Sequence, residues 1–169
     1  MALYFAELID KTIREGDECN NILTLFLYAL RAINKNLDKK FIRLAFEFKF
    51  MQYIGFEPSV NCCECGCLEN RNFFCAYGAL CENCAVSYRH TGKLSAVAYH
   101  NILREFTGLR PLSKNGIGVM EAIFNLEPKT FFALSINPNV LLELRACADI
   151  LLNEHLDAKI KSVHFLDAL

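Results

Sequence analysis

Two C-x2-C pairs, Cys62 with Cys65 and Cys81 with Cys84, stand in the middle of the chain with fifteen residues between them. That separation is the one expected of a four-thiolate zinc site. Each pair delivers two sulfurs from one tight turn, and the loop between lets the pairs meet around one tetrahedral ion. A chain with this feature has to fold its centre as a small metal-bound module and place everything else around it.

The register of the first pair needs an argument, because Cys62, Cys63, Cys65 and Cys67 crowd into six residues. Gly66 follows Cys65 directly, and glycine relieves steric strain where a metal-binding turn bends back and aims its amides at the sulfurs. Cys62 is therefore paired with Cys65, which puts Cys63 and Cys67 on the outside of the turn. Cys75 lies mid-loop, where Phe73, Phe74 and Tyr77 predict a short hairpin turned at Gly78. Spare thiols in such a hairpin are read as small apolar fillers. His90 is the other candidate ligand. A closed shell of four cysteines leaves no open position for water or substrate, so the zinc is expected to be structural. An iron-sulfur cluster is the alternative, since four thiolates also suit iron.

Nine cysteines is an odd number, and no signal peptide precedes the first amphipathic segment, so metal in a reducing cytosol is expected rather than a disulfide framework. The chain has 169 residues and 53% apolar content, enough to fill a sizeable core. No run approaches about eighteen uninterrupted apolar residues, so no membrane span is expected. A net charge of −1 is not that of a basic body gripping duplex DNA through phosphates, and any nucleic-acid contact must use a local patch.

Apolar spacing predicts a first helix over Met1 to Arg14, a second from Asn20 or Asn21 to Asn34, and a third capped by Asp38 and stopped at Gly55. The third is expected to turn Ile42, Ala45, Phe46, Met51 and Ile54 inward. After Cys84, helices are expected from Ser95 to Phe106, from about Val119 to Leu126 following a turn at Ser113, from Pro128 to Leu134, and in a long stretch from Pro138. Strand signals are confined to the metal hairpin. The expected fold is mainly α: a helical bundle with an inserted four-cysteine zinc-binding β-hairpin module. The parts are residues 1–57, the metal module 58–90 and residues 91–169, with the module projecting from the junction of two helical groups.

Six basic residues fall between Arg31 and Lys49, against Asp38 and Glu47 alone. Such a run is usually a solvated helix face, but it can also receive phosphates or an acidic peptide. Lys39, Lys40 and Arg43 are the candidate partner-binding residues. A second basic excess lies at Arg89, Lys93, Arg104, Arg110 and Lys114, and the two runs form one surface if the hairpin folds between them. His90, His100, His155 and His164 have no acidic partner at a recognised spacing, and Gly116-Ile117-Gly118 is too short for a phosphate loop. No enzyme and no small-molecule substrate are expected.

With these elements placed, the chain resembles the helical and zinc-binding part of the RecO family of bacterial recombination mediators. Three segments carry the resemblance: Ala45 to Phe56, similar to the family's Phe-Glu helix before the first cysteine pair; the two cysteine pairs with their glycines; and Leu141 to Leu166, similar to its last helix and Leu-Lys-Ser-x-x-Phe-Leu tail. The resemblance implies a non-enzymatic, cytoplasmic role in DNA repair, nucleoid-associated during repair. The implied partners are RecR, the acidic tail of single-strand-binding protein and single-stranded DNA, in support of RecA loading or strand annealing. Family members begin with an OB-fold barrel, and this chain starts where that barrel would end. Ala45 stands where relatives often carry arginine, and Val163 and His164 replace a frequently basic pair. The alternative is a zinc-stabilised DNA-binding transcriptional regulator, which should show a recognition helix with several Arg, Asn or Gln on one face. None is seen.

Overall fold

A computed structural model describes residues 1–14, 19–91 (87–91 by backbone alone), 109–156, 160 and 162. The predicted helix from Ser95 to Phe106 and most of the tail lie outside the described residues.

Three helices come first: α1 (Ala2–Thr12), α2 (Asn20–Asn34) and α3 (Lys39–Tyr53). α2 buries Ile22, Leu25, Ala29 and Ala32, one face at three- and four-residue spacing. α3 is different. Every residue from Phe41 to Met51 except Arg43 is buried, so α3 is the axis of the molecule rather than a helix with one inner face. Phe48 and Phe50 are therefore buried as fully as the expected Ile42, Ala45, Phe46 and Met51. Phe46, Phe48 and Phe50 alternate like a strand, but on a helix Phe46 and Phe50, about one turn apart, share a side and stack at 6.0 Å, while Phe48 points away from them. Phe46 stacks on Phe5 of α1 with ring centroids 3.9 Å apart. Phe48 meets Phe124 edge to face at 6.0 Å.

Both ends of α3 are capped as the sequence predicts. Asp38 Oδ1 accepts from the amides of Lys40 and Phe41 at 2.9 and 3.3 Å. At the other end Gly55 takes φ +91°, and the amides of Gly55 and Phe56 donate to the carbonyls of Gln52 and Met51. This pair of bonds closes the last turn and needs the left-handed residue that glycine supplies.

Strands β1 (Phe73–Cys75) and β2 (Gly78–Leu80) form the hairpin, and α4 (Glu82–Thr91) follows. Beyond them are β3 (Arg110–Pro111), α5 (Lys114–Asn125), α6 (Pro128–Phe131) and α7 (Pro138–His155). α5 starts five residues earlier than the expected Val119, because Ser113 Oγ accepts from the Gly116 amide and makes Ser113 the cap itself. α2, α5 and α7 all pack on α3.

The hairpin departs from expectation in two ways. β3 pairs with β1 on the edge away from β2, so strand structure is not confined to the metal loop; the sheet order is β2-β1-β3. The hairpin also does not project. Cross-strand partners Phe74 and Ala79 are fully buried in the helical core, while Cys75 and Leu80, on the opposite face of the pleat, join Cys62, Cys81 and Ala85 in a second small cluster. The two-residue period of the strands thus gives one face to the helices and the other to the thiols. The turn is seated on the end of α7, where His155 Nε2 lies 3.0 Å from the Ala76 carbonyl oxygen and its ring stacks on Phe56.

Candidate metal centre

The first thiol turn is folded by its own backbone. Gly66 donates its amide to the Cys62 carbonyl at 2.7 Å with φ +74°, and the Cys62 amide donates to the Cys67 carbonyl at 3.0 Å. Cys63 donates to the Ala79 carbonyl at 2.9 Å, which lays the turn along β2. The second turn opens α4: the Ala85 amide donates to the Cys81 carbonyl, and the Cys84 amide lies 3.5 Å from the Cys81 sulfur. A sulfur at this position faces the amides and the positive end of the helix dipole, which favour thiolate. Arg71 anchors the module from outside, donating to the Val60 carbonyl at 2.6 Å and pairing with Glu121 of α5 at 3.7 Å.

The sulfurs of Cys62, Cys65, Cys67 and Cys81 all lie within 4.8 Å of one another, and those of Cys65 and Cys81 are 3.8 Å apart. Sulfurs about 2.3 Å from one zinc ion at tetrahedral angles would be about 3.8 Å apart, so the group can hold a metal ion. Cys67, expected outside the turn, faces inward because the left-handed Gly66 reverses the chain between Cys65 and Cys67. Cys84 lies outside this mutually close group, tied to it through its amide, 3.5 Å from the Cys81 sulfur. The missed signal was a cysteine two residues after Cys65 on the far side of a glycine.

The titration tendencies of these sulfurs are those of a group suited to a cation. Burial pushes the Cys62 thiol up, but the amides of Cys65, Cys81 and Glu64 outweigh it and hold it down at about 6. Cys67 is pushed up to about 12, first by its hydrogen bond with Cys65, and Cys84 is raised by its bonds with Cys81 and Cys65. Several thiolates cannot share one small volume unless a positive ion sits among them. Such a donor set is suited to a soft or borderline divalent metal. Cys63 and Cys75 form a separate couple with sulfurs 3.8 Å apart.

The basic run divides. Arg31, Lys35, Lys39 and Lys40 are exposed around the α2–α3 corner. Arg43 instead donates from Nε to Glu47 at 3.0 Å and lies over the Tyr4 ring, and Lys49 is buried with Nζ donating to the Phe124 carbonyl at 2.7 Å. In the second basic group, Lys93 and Arg104 lie outside the described residues, as do His100 and His164. No helix among the described residues is long and apolar enough to cross a membrane.

Residues 1–106 match the family model described as recombination protein O C terminal. The DNA repair protein RecO of Desulforamulus reducens is 25% identical over 173 residues, covering 99% of this chain and 60% of that protein. RecO of a Roseiflexus species is 30% identical over 120 residues, covering 68% of this chain and 42% of the relative. RecO of a Thermoanaerobacter species is 29% identical over 89 residues, with coverages of 50% and 36%. The chain thus spans 60% or less of the length of these relatives.

Proposed function

The chain belongs to the RecO family, in its C-terminal part, and from that premise we propose that it is a non-enzymatic interaction scaffold in DNA repair by homologous recombination. Its metal is zinc, held by thiolates alone and structural in role, because a closed sulfur shell offers no position for substrate. Its partners are the acidic tail of single-strand-binding protein, RecR and single-stranded DNA, and its task is to help load RecA or anneal strands.

The observation that carries the partner reading is the exposed basic corner at Lys39 and Lys40, flanked by Arg31 and Lys35. Cations in this position attract an acidic peptide from a distance and fix its register on the helix ends. Arg43 contributes by holding α3 to α1 rather than by meeting the partner, since its guanidinium is committed to Glu47 and Tyr4. The test is titration of a labelled acidic tail peptide against the native chain and against Lys39→Glu/Lys40→Glu, leaving Arg43 in place. Binding should weaken sharply in the variant and fall with added salt. Equal affinity for both proteins would remove the assignment.

A further inference from the structure

Two cysteines of the module stand apart from the metal group and meet each other. Cys63 and Cys75, twelve residues apart in sequence, bring their sulfurs to 3.8 Å. Among the described residues this couple joins no set of three or more ligand atoms, so it cannot by itself close the shell of a tetrahedral ion. The backbone holds both in place. Cys75 ends β1 opposite Gly78, and the Cys63 amide donates to the Ala79 carbonyl at 2.9 Å, so both lie against the hairpin. They differ in access. Cys75 is buried with Leu80 and Ala85 on the thiol side of the sheet, whereas Cys63 packs against that cluster half-buried. Either alone would be a small apolar filler. Together they are a dithiol.

We propose that Cys63 and Cys75 are a redox pair, which a hydroperoxide converts to one disulfide beside the metal while the ligand thiols stay bound to it. The more accessible Cys63 sulfur attacks one peroxide oxygen, the O–O bond breaks, and a sulfenic acid forms as the other oxygen leaves as water. Cys75 then attacks that sulfur. The S–S bond forms, the S–O bond breaks, and the hydroxyl leaves as water with the Cys75 proton, so the two thiols give two electrons and two hydrogens to the peroxide. A disulfide holds its sulfurs about 2.05 Å apart, so closure asks for less than about 2 Å of movement shared by two side chains. The ligand thiols react later because the ion engages their lone pairs. That protection rests on the reading of the module as a zinc site; the meeting of Cys63 and Cys75 does not. The new bond fastens the first thiol turn to β1, and the module keeps its shape through an oxidative exposure. Where thiols are otherwise kept reduced, such a bond is transient and regulatory.

The test treats the zinc-loaded native chain with one equivalent of hydrogen peroxide, alkylates the remaining thiols and maps the peptides by mass spectrometry, with zinc measured in parallel. The first disulfide should join Cys63 to Cys75, with two thiols lost per chain, zinc retained, and both thiols recovered with dithiothreitol. Cys62 adjoins Cys63, so Cys63→Ser settles which of them is linked. That variant, at a half-buried position, should keep its zinc and form no disulfide at this dose. A first disulfide that contains Cys62, Cys65 or Cys81, zinc released in step with thiol loss, or an undiminished disulfide yield in Cys63→Ser would each overturn the proposal. A native chain that holds no zinc yet still forms the Cys63–Cys75 link would keep the redox pair and overturn the zinc reading alone.

Discussion

Arg145 of α7 donates from Nη1 to Oε2 of Glu47 in α3, joining residues 98 apart in sequence at the centre of the molecule. Glu47 is fully buried, and its other oxygen accepts from Tyr4 Oη at 2.5 Å and Arg43 Nε at 3.0 Å. Arg145 also reaches Asp149 on its own helix, at 2.7 Å. Burial works against the charge on Arg145, but Glu47 and Asp149 outweigh it and raise its pKa above the usual value. One carboxylate thus ties α1, α3 and α7 together.

Glu47→Ala should be among the most damaging single changes in the helical body. It leaves Arg43 and Arg145, both partly exposed, without the buried carboxylate they share, so the loss should fall between the roughly 1 kcal/mol of an exposed pair and the roughly 3 to 5 kcal/mol of a fully buried one. Urea unfolding followed by circular dichroism would measure it. A loss under about 1 kcal/mol would place the network at the surface instead.

Tyr4→Phe should cost about 1.5 to 3 kcal/mol near neutral pH, the range for a hydrogen bond to a charged group. Burial first, then the charge and hydrogen bond of Glu47, hold the Tyr4 phenol protonated well above its usual range. An unfolded tyrosine ionises near about pH 10, so this contribution is complete below about 10 and is lost as pH rises beyond it toward the raised folded value. The stability gap between the native chain and Tyr4→Phe should therefore narrow in alkali. A gap unchanged between about pH 8 and about pH 11 would contradict the assignment.

Gly78→Ala should loosen the metal module from its support. Gly78 has φ +131°, and a Cβ there would run into the backbone of Ser59, whose carbonyl accepts from the Ala79 amide at 2.7 Å. That contact carries the chain into the Cys62 turn. Weaker zinc retention against a chelator is expected, with thermal unfolding of the helices shifted less. Native zinc retention in the variant would show that the approach of Ser59 to the hairpin is dispensable.

Stripping the metal should unfold the thiol cluster and spare the core around α3. Structural zinc contributes roughly 10 to 16 kcal/mol in small peptides, but Phe74 and Ala79 are buried among helices rather than against the thiols. After chelation, amide exchange should rise at Cys62, Gly66 and Ala85 while Phe46 and Phe50 stay protected. Equal loss of protection at both sets would mean that the two clusters unfold as one.

Local signals were legible in the chain itself. Asp38 and Gly55 mark the ends of α3, Pro138 marks the start of α7, and the cysteine pairs mark the metal module, because caps, turns and ligand spacings act over a few residues. Tertiary contact decided the rest. Nothing near Phe48 says that α3 would be covered on every side, since that depends on α5 and α7 arriving from far along the chain. Nothing near Arg43 distinguishes a solvated cation from one drawn inward; Glu47 is four residues away, but the burial that commits the pair comes from Tyr4 and Arg145. The place of Cys67 likewise followed from how Gly66 bends the backbone toward Cys81, a convergence of two segments that no spacing within either can express.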